Sequence, residues 1–213
     1  SLQSGEREAL VADNWDVLYV GYSPSGRYRV SGVNNDASTD VTLTDLMTGS
    51  DVVVSDVPDG DLAQIRFNRD ETAIAFGINR DTAPTDLYHM PLGGDASRLT
   101  RALNPAINND LMVEGEVVRF ASYDGLQIPG ILYKPNEASA DNPVPALVWV
   151  HGGPGGQSRK GYSAVIQHLV NHGYAVYQIN NRGSSGYGKT FYHLDDLKHG
   201  EADLGDVVAS RSF

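Results

Sequence analysis

The chain has 213 residues, a formal net charge of -11, an apolar fraction of 40% and no cysteine. This length allows one large domain or two smaller ones, with an ordinary hydrophobic core. The acidic charge argues against nucleic acid or an anionic membrane as a partner, because phosphate groups would be repelled. The lack of cysteine excludes disulfides, thiolate metal sites and a cysteine nucleophile, but does not decide the compartment.

No apolar run approaches eighteen residues, so the sequence predicts no membrane-spanning helix. The first residues, Ser1 to Glu6, do not have the form of a signal peptide. A signal before residue 1 stays open if the chain is part of a longer protein. We expect a soluble protein and favour the cytoplasm over the periplasm.

Residues 15–101 alternate short apolar runs with turn residues, a pattern typical of β structure. Aligning Ser23 with Asn68 and Leu43 with Leu87 gives an internal repeat of about 44 residues, near the length of a propeller blade. Two repeats cannot close a propeller, so we favour blades that continue before residue 1 over a small β-sandwich. Four aromatic residues at strand spacing are predicted to form the core of this region rather than a ligand site: Tyr22, Tyr28, Phe76 and Tyr88.

The composition changes after this region. We assign residues 1–101 to β-propeller-like blades, 102–112 to a linker and 113–213 to an α/β domain. An Asp124-Gly125 pair predicts a hairpin turn at the start of the α/β part. Further elements are predicted there: a strand at 146–150 buried on both faces, a helix near 161–172, a strand at 174–179, a short helical stretch at 190–198, and a helix from about Glu201 with Leu204, Val207 and Val208 on one face.

A glycine-rich loop follows the strand at 146–150. The residues directly after His151 are G-G-P-G-G, and glycine can expose bare backbone N–H groups where a strand ends. In open α/β sheets, ligands sit at the carboxyl ends of the strands. The H-G-G-P turn has the form of the loop that supplies one oxyanion N–H group in α/β-hydrolases.

Four motifs carry a family resemblance: H-G-G-P-G-G-Q at 151–157, N-H-G-Y-A-V at 171–176, N-N-R-G-S-S-G-Y-G at 180–188 and H-G-E-A-D-L-G-D-V-V at 199–208. From about Val113 onward, the chain resembles the opening of the catalytic domain of the prolyl oligopeptidase family of serine peptidases. The H-G-G-P form is most similar to the acylaminoacyl-peptidase branch. The resemblance implies a mixed fold, with the last blades of a β-propeller followed by a truncated α/β-hydrolase domain.

The resemblance also implies site residues. Gly153, with Gly152, would donate N–H groups to the oxyanion of a peptidase that cleaves short peptides through an acyl-enzyme. His151, Pro154, Arg182 and Tyr187 would line the substrate cleft. His151 invites a general-base reading, but in the family the base follows the serine, so a hydrogen-bonding role in the loop is favoured. No cofactor and no metal ion are expected.

The family's nucleophile lies on a G-x-S-x-G turn, and no serine of this chain has glycine at both positions. The nearest approach is Gly183-Ser184-Ser185-Gly186, where Tyr187 replaces the second glycine. We therefore expect the Ser/Asp/His triad beyond residue 213, a chain inactive alone, and the remainder of the catalytic domain as a partner. Homo-oligomerisation stays open. The alternatives are a non-catalytic β-repeat binding or scaffold module, and an esterase on the same fold.

Two further patterns suggest ligands. Gly183 to Thr190 matches the Walker A phosphate pattern, but polar residues separate it from the preceding strand and too few residues follow for a nucleotide-binding sheet. The acidic residues at Asp195-Asp196, Glu201, Asp203 and Asp206 could suggest a metal site, yet carboxylates near a helix start are favoured without any metal. We expect neither a nucleotide nor a metal here.

Overall fold

The computed structural model describes residues 4–213, which form three four-stranded sheets with a few short helices. The strands are β1 (Val17–Tyr22), β2 (Tyr28–Asn35), β3 (Ser38–Asp45), β4 (Ser50–Asp51), β5 (Asp61–Phe67), β6 (Ala73–Arg80), β7 (Ala83–Pro91), β8 (Ser97–Arg98), β9 (Glu116–Ala121), β10 (Gln127–Tyr133), β11 (Ala146–Val150) and β12 (Ala175–Ile179). The α-helices are α1 (Ala164–Asn171), α2 (Gly188–Tyr192) and α3 (Ala202–Ala209), and 3-10 turns lie at Asn109–Leu111 and Ser210–Ser212.

The first two sheets repeat one design. Each is an antiparallel meander, in the order β1-β2-β3-β4 and β5-β6-β7-β8. Corresponding strands begin at residues 17 and 61, 28 and 73, and 38 and 83, which confirms the repeat predicted from the sequence.

Aromatic side chains fill the space between these two sheets. Tyr28 stacks on Phe67 with ring centroids 5.2 Å apart, and Phe76 stacks on Tyr88 at 5.7 Å. The prediction that Tyr22 joins this core is wrong, since Tyr22 is 51% exposed. Among the described strands, β1 pairs with β2 alone, and Tyr22 lines an open pocket rather than the packed interior.

The third sheet has the order β11-β12-β10-β9. The β11 and β12 strands are parallel and are joined by α1, which confirms the predicted strand–loop–helix–strand unit. Ser163 caps α1 by accepting a hydrogen bond from the Ile166 N–H at 3.3 Å. The predicted hairpin is also present, with Gly125 at φ +85° in the turn between β9 and β10.

The predicted burial of β11 on both faces is wrong. All five residues from Ala146 to Val150 are exposed, including Trp149. The physical reason is that, in the described part of the chain, β11 lies at the edge of its sheet and has β12 as its one hydrogen-bonded neighbour. The apolar strand β11 thus leads into the glycine-rich loop at an open sheet edge, and its carboxyl end is accessible to solvent.

The C-terminal helices differ from the sequence prediction in two ways. The helical stretch expected at 190–198 is limited to α2, because residues 193–197 form turns. The apolar face expected on α3 is also wrong: Leu204 and Val208 are exposed, and only Val207 packs inward. Asp203 and Asp206 are the buried residues of α3, because ion pairing and hydrogen bonding compensate their burial. Within residues 4–213, no helix combines the length and apolarity needed to cross a bilayer.

Candidate functional site

The glycine-rich loop at residues 151–157 leaves the carboxyl end of β11 and is open to solvent. Gly152, Gly153 and Pro154 are exposed. Within residues 4–213, no group accepts a hydrogen bond from the N–H of Gly152 or Gly153. Exposed amides without a partner in the fold are available to a ligand oxygen, whereas most backbone N–H groups in folded proteins are already paired.

The conformation of this loop depends on glycine. Gly153 has φ +134°, a region that other residues rarely adopt, and a Cβ there would lie 2.8 Å from the Gly156 nitrogen. A Cβ on Gly156 would collide with the carbonyl oxygen of Gly152. The loop therefore folds back on itself so closely that side chains at these two positions would force it open.

His151 contacts the segment that follows β12 and so supports the start of the loop. Its Nε2 lies 2.8 Å from the Ser184 hydroxyl, which donates to the carbonyl oxygen of Asn181 at 2.6 Å. Because that hydroxyl proton is already given to Asn181, the Ser184 oxygen accepts from the Nε2–H of His151. The Nδ1 of His151 lies 3.1 Å from the carbonyl oxygen of Gly152. His151 thus ties the loop to the segment that follows β12.

The far end of the loop is clamped on two sides. The buried amide of Asn180 accepts from the Ser158 N–H at 2.7 Å and donates to the Ser158 carbonyl at 3.0 Å. Gln157 donates to the carbonyl oxygen of Asp36 at 2.6 Å, in the turn between β2 and β3. Both ends are held while the middle stays free, an arrangement that preorganises backbone donors.

A pocket of about 370 Å³ opens beside the loop. Among the predicted site residues, it is lined by His151, Gly152, Gly153 and Pro154. The structure does not bring Arg182 or Tyr187 to this pocket. It adds four residues that sequence reasoning missed: Val150, Asn181, His199 and Asp203. Asn181 lies in the N-N-R-G motif, and His199 and Asp203 lie in the H-G-E-A-D motif. Membership of these motifs was the sequence signal that could have indicated them.

Arg182 lies in a buried ion-pair network instead of the pocket. Its guanidinium bonds to Asp206 at 2.8 Å and to Asp124 at 2.8 Å, and its backbone N–H also donates to Asp206. It stacks over the Tyr123 ring at 4.5 Å. The hydrogen bonds that Arg182 donates to Asp206 and Asp124 raise the pKa of Arg182 above its usual value. Arg182 therefore joins three segments of the fold and does not line the pocket beside the loop.

Tyr187 is also engaged by the fold. Its hydroxyl accepts from the Asn180 amide at 2.8 Å, and its ring contacts Phe191 at 5.3 Å between centroids. Burial raises the pKa of the Tyr187 hydroxyl. Tyr187 thus helps to hold Asn180, which in turn holds the end of the loop.

The loop that matches the Walker A pattern differs from the loop at 151–157. Its N–H groups are used inside the fold: Gly183 donates to Phe191, Ser184 to Asn181, and Ser185 to Gly156. Ser184 is fully buried, and the helix that follows has only five residues. A phosphate cradle needs free N–H groups at a helix start, so this geometry does not support nucleotide binding.

A larger pocket, of about 610 Å³, lies between the first two sheets. It is lined by Tyr19, Tyr22, Leu62 and Phe67 among others, and it is more apolar than the pocket beside the loop. The exposed Gly152 and Gly153 line the smaller pocket, so we place the candidate chemistry there.

Sequence comparison identifies relatives of this chain. The model of the prolyl oligopeptidase family matches residues 160–213. An uncharacterized peptidase, YuxL, of Bacillus subtilis (strain 168) is 31% identical over 139 residues, which are 65% of this chain and 21% of that protein. Dipeptidyl aminopeptidase BIII of Pseudoxanthomonas mexicana is 38% identical over 117 residues, which are 51% of this chain and 17% of that protein.

Structural comparison agrees with the sequence relatives. The acylaminoacyl peptidase of Pyrococcus horikoshii superposes with a TM-score of 0.69 at 23% identity, over 93% of this chain and 30% of that one. This likeness shows a shared fold. The chain spans about a fifth of the length of the curated relatives named above and about a third of that solved structure.

Proposed function

Because this chain belongs to the prolyl oligopeptidase family, we propose that it supplies the oxyanion loop of a serine peptidase that hydrolyses short peptides. The N–H of Gly153, with that of Gly152, would donate to the negatively charged oxygen of the tetrahedral intermediate. The observation that carries the proposal is the pair of exposed N–H groups with no acceptor within residues 4–213.

The chemistry follows from this placement. A serine oxygen attacks the scissile carbonyl carbon, the carbonyl oxygen becomes negatively charged, and the amine leaves as an acyl-enzyme forms, which water then hydrolyses. A donor fixed before the reaction stabilises that charge without reorganisation, and removing one such donor typically costs about 2.7–4 kcal/mol of transition-state stabilisation. The hydrolysing Ser/Asp/His triad is proposed to lie outside residues 1–213, in the remainder of the catalytic domain.

The first two sheets have a proposed role in selectivity. Their four-stranded meanders have the form of propeller blades, and we propose that they belong to a propeller that restricts access to small, unfolded substrates. Contacts between the parts support a shared wall: Asn34 of β2 is fully buried and donates to the Gly186 carbonyl at 2.7 Å. The relatives named as a dipeptidyl aminopeptidase and an acylaminoacyl peptidase point to substrates with a free or acylated N-terminus.

The test uses the longer protein that carries the triad. It should cleave aminoacyl or acyl-peptide chromogenic substrates, and Gly153→Val should lower turnover at least about tenfold because the side chain forces the loop open. Gly93→Val is the matched control, since Gly93 also has positive φ but lies in a remote turn with open space around it. If the Gly153 variant keeps full turnover, the oxyanion role is wrong. If peptides resist and an ester is cleaved, the protein is an esterase.

A further inference from the structure

A second group of polar side chains adjoins the pocket beside the loop. It consists of Asp195, His199 and Asp203, whose ligand atoms all lie within 4.8 Å of one another. The Nδ1 of His199 lies 2.7 Å from Asp203 Oδ2 and 3.6 Å from Asp195 Oδ2. Asp195 follows α2, and Asp203 lies in the first turn of α3, so the fold brings together three residues that share no metal-binding motif in the sequence.

Both carboxylates are largely buried, and a backbone N–H holds that of Asp203 in place. Asp195 is 9% exposed and Asp203 is 8% exposed. Asp203 Oδ1 accepts from the Gly200 N–H at 2.6 Å, which leaves Oδ2 directed at His199. Gly183 has φ +88°, and a Cβ there would overlap the Asp195 carboxylate. The absence of a side chain at Gly183 is thus required for the position of Asp195.

A separate observation points to a ligand at this place. Asn181 is 5% exposed and lines the same pocket as His199 and Asp203. Its Nδ2 donates to the Arg182 carbonyl at 2.9 Å, but its Oδ1 is buried and has no hydrogen-bond partner within residues 4–213. An unpaired buried amide oxygen is costly, and a bound ion or water is a usual explanation.

We propose that Asp195, His199 and Asp203 bind a divalent transition-metal ion such as Zn²⁺, with Asn181 Oδ1 as a further oxygen at the site. Two carboxylates neutralise the charge of the cation, and an imidazole nitrogen favours Zn²⁺ over Ca²⁺ or Mg²⁺, which prefer oxygen ligands. Ligand atoms around tetrahedral Zn²⁺ lie roughly 3.3 Å apart, so separations in this cluster need to change by at most about 1.5 Å. The hydrogen bond from the Gly200 N–H orients the Asp203 carboxylate, in the way that hydrogen-bond partners commonly orient the ligands of a metal ion. This proposal does not depend on peptidase activity.

The experiment measures Zn²⁺ binding to the 213-residue chain by equilibrium dialysis, after treatment with a chelator. One Zn²⁺ should bind per chain at micromolar concentration, and equal Ca²⁺ should not displace it. His199→Gln should weaken binding at least tenfold, because the imidazole ligand is lost. The matched control is His193→Gln, since His193 is another exposed histidine of this segment and pairs with Asp196 at 2.8 Å.

A spectroscopic measurement on the unaltered chain keeps the proposal testable if a variant fails to fold. Addition of Zn²⁺ should move the imidazole NMR signals of one histidine, that of His199, among the six in the chain. The proposal is overturned if no Zn²⁺ binds, if the two histidine variants bind equally well, or if the signals of another histidine move instead. In those cases His199 is only a polar neighbour of the two aspartates.

Discussion

The Arg182 guanidinium and the Asp206 carboxylate form a buried ion pair, with Nη2 and Oδ1 2.8 Å apart and Asp206 0% exposed. Asp206 also accepts from the Ser122 hydroxyl at 2.5 Å and from the Arg182 N–H at 2.8 Å. One carboxylate therefore connects α3 to the end of β9 and to the segment after β12.

Replacing Asp206 by Asn should destabilise the fold strongly. The Arg182 charge would stay buried without its main partner, and breaking a buried pair from one side typically costs about 3–5 kcal/mol. Urea unfolding would measure the loss. Asp196→Asn is the control, because Asp196 is exposed and pairs with His193 at the surface, where such pairs contribute about 0–1 kcal/mol. Equal effects of the two changes would contradict the structural role of Asp206.

The Asp124 carboxylate should make the free energy of unfolding depend on pH in the acidic range. Hydrogen bonds from Arg182 lower the pKa of Asp124 to about 2, whereas an unfolded aspartate titrates near about 3.9. Its contribution is therefore present above the unfolded value and is lost as the pH falls through about 2. The free energy of unfolding should fall less steeply between pH 4 and pH 2 in Asp124→Asn than in the parent chain.

The matched control for that titration is Asp141→Asn, since Asp141 is an exposed aspartate in the loop before β11. Its pH profile should follow that of the parent chain. Identical slopes for the Asp124 variant and the parent would show that the Arg182 contact does not persist in solution.

Asp81 joins the second sheet to the α/β part and should be sensitive to substitution. Its buried carboxylate accepts from the N–H groups of Gly115 at 2.9 Å and Gly161 at 2.6 Å, and from the Tyr133 hydroxyl at 2.9 Å. Asp81→Leu leaves three donors unpaired, each costing about 1–3 kcal/mol. We expect a loss of at least about 2 kcal/mol in unfolding free energy and faster proteolysis at residues 102–112.

A partial variant checks the Asp81 argument. Tyr133→Phe removes one donor and leaves the carboxylate with its other partners, so it should cost about 1 kcal/mol. If Tyr133→Phe destabilises the chain as much as Asp81→Leu, the tyrosine hydroxyl contact alone accounts for the loss, and the two backbone N–H groups that Asp81 accepts from contribute nothing measurable.

His151 should act as a support for the loop and not as the general base. In the longer protein proposed to carry the triad, His151→Gln keeps a donor for Ser184 and should lower turnover by less than about tenfold. A general base typically contributes about 10²–10⁴-fold, so a loss of three orders of magnitude would assign the base to His151. The measurement is the turnover number with a saturating peptide substrate, with far-UV circular dichroism to confirm folding.

Local features of the chain were predictable from the sequence. The repeat of the first two sheets, the Asp124-Gly125 hairpin and the β11–α1–β12 unit follow from hydrophobic periodicity and turn residues, which act over a few neighbours. The exposure of Tyr22 and of β11 was not predictable, because it depends on which strands pair. In the sequence, both Tyr22 and the residues of β11 have the pattern of buried apolar core. The burial of the polar face of α3 was not predictable either, since the ion pair with Arg182 is what compensates the burial of Asp206.

The two glycine-rich loops show where sequence reasoning ends. Residues 151–157 and 183–188 are similar in composition, and each matches a known ligand-binding pattern. Among residues 4–213, packing gives the N–H groups of Gly152 and Gly153 no acceptor but uses those of Gly183, Ser184 and Ser185 within the fold. An amide's availability depends on acceptors that are distant along the chain, so only the tertiary structure distinguishes a loop with unpaired, exposed N–H groups from one whose N–H groups are used within the fold.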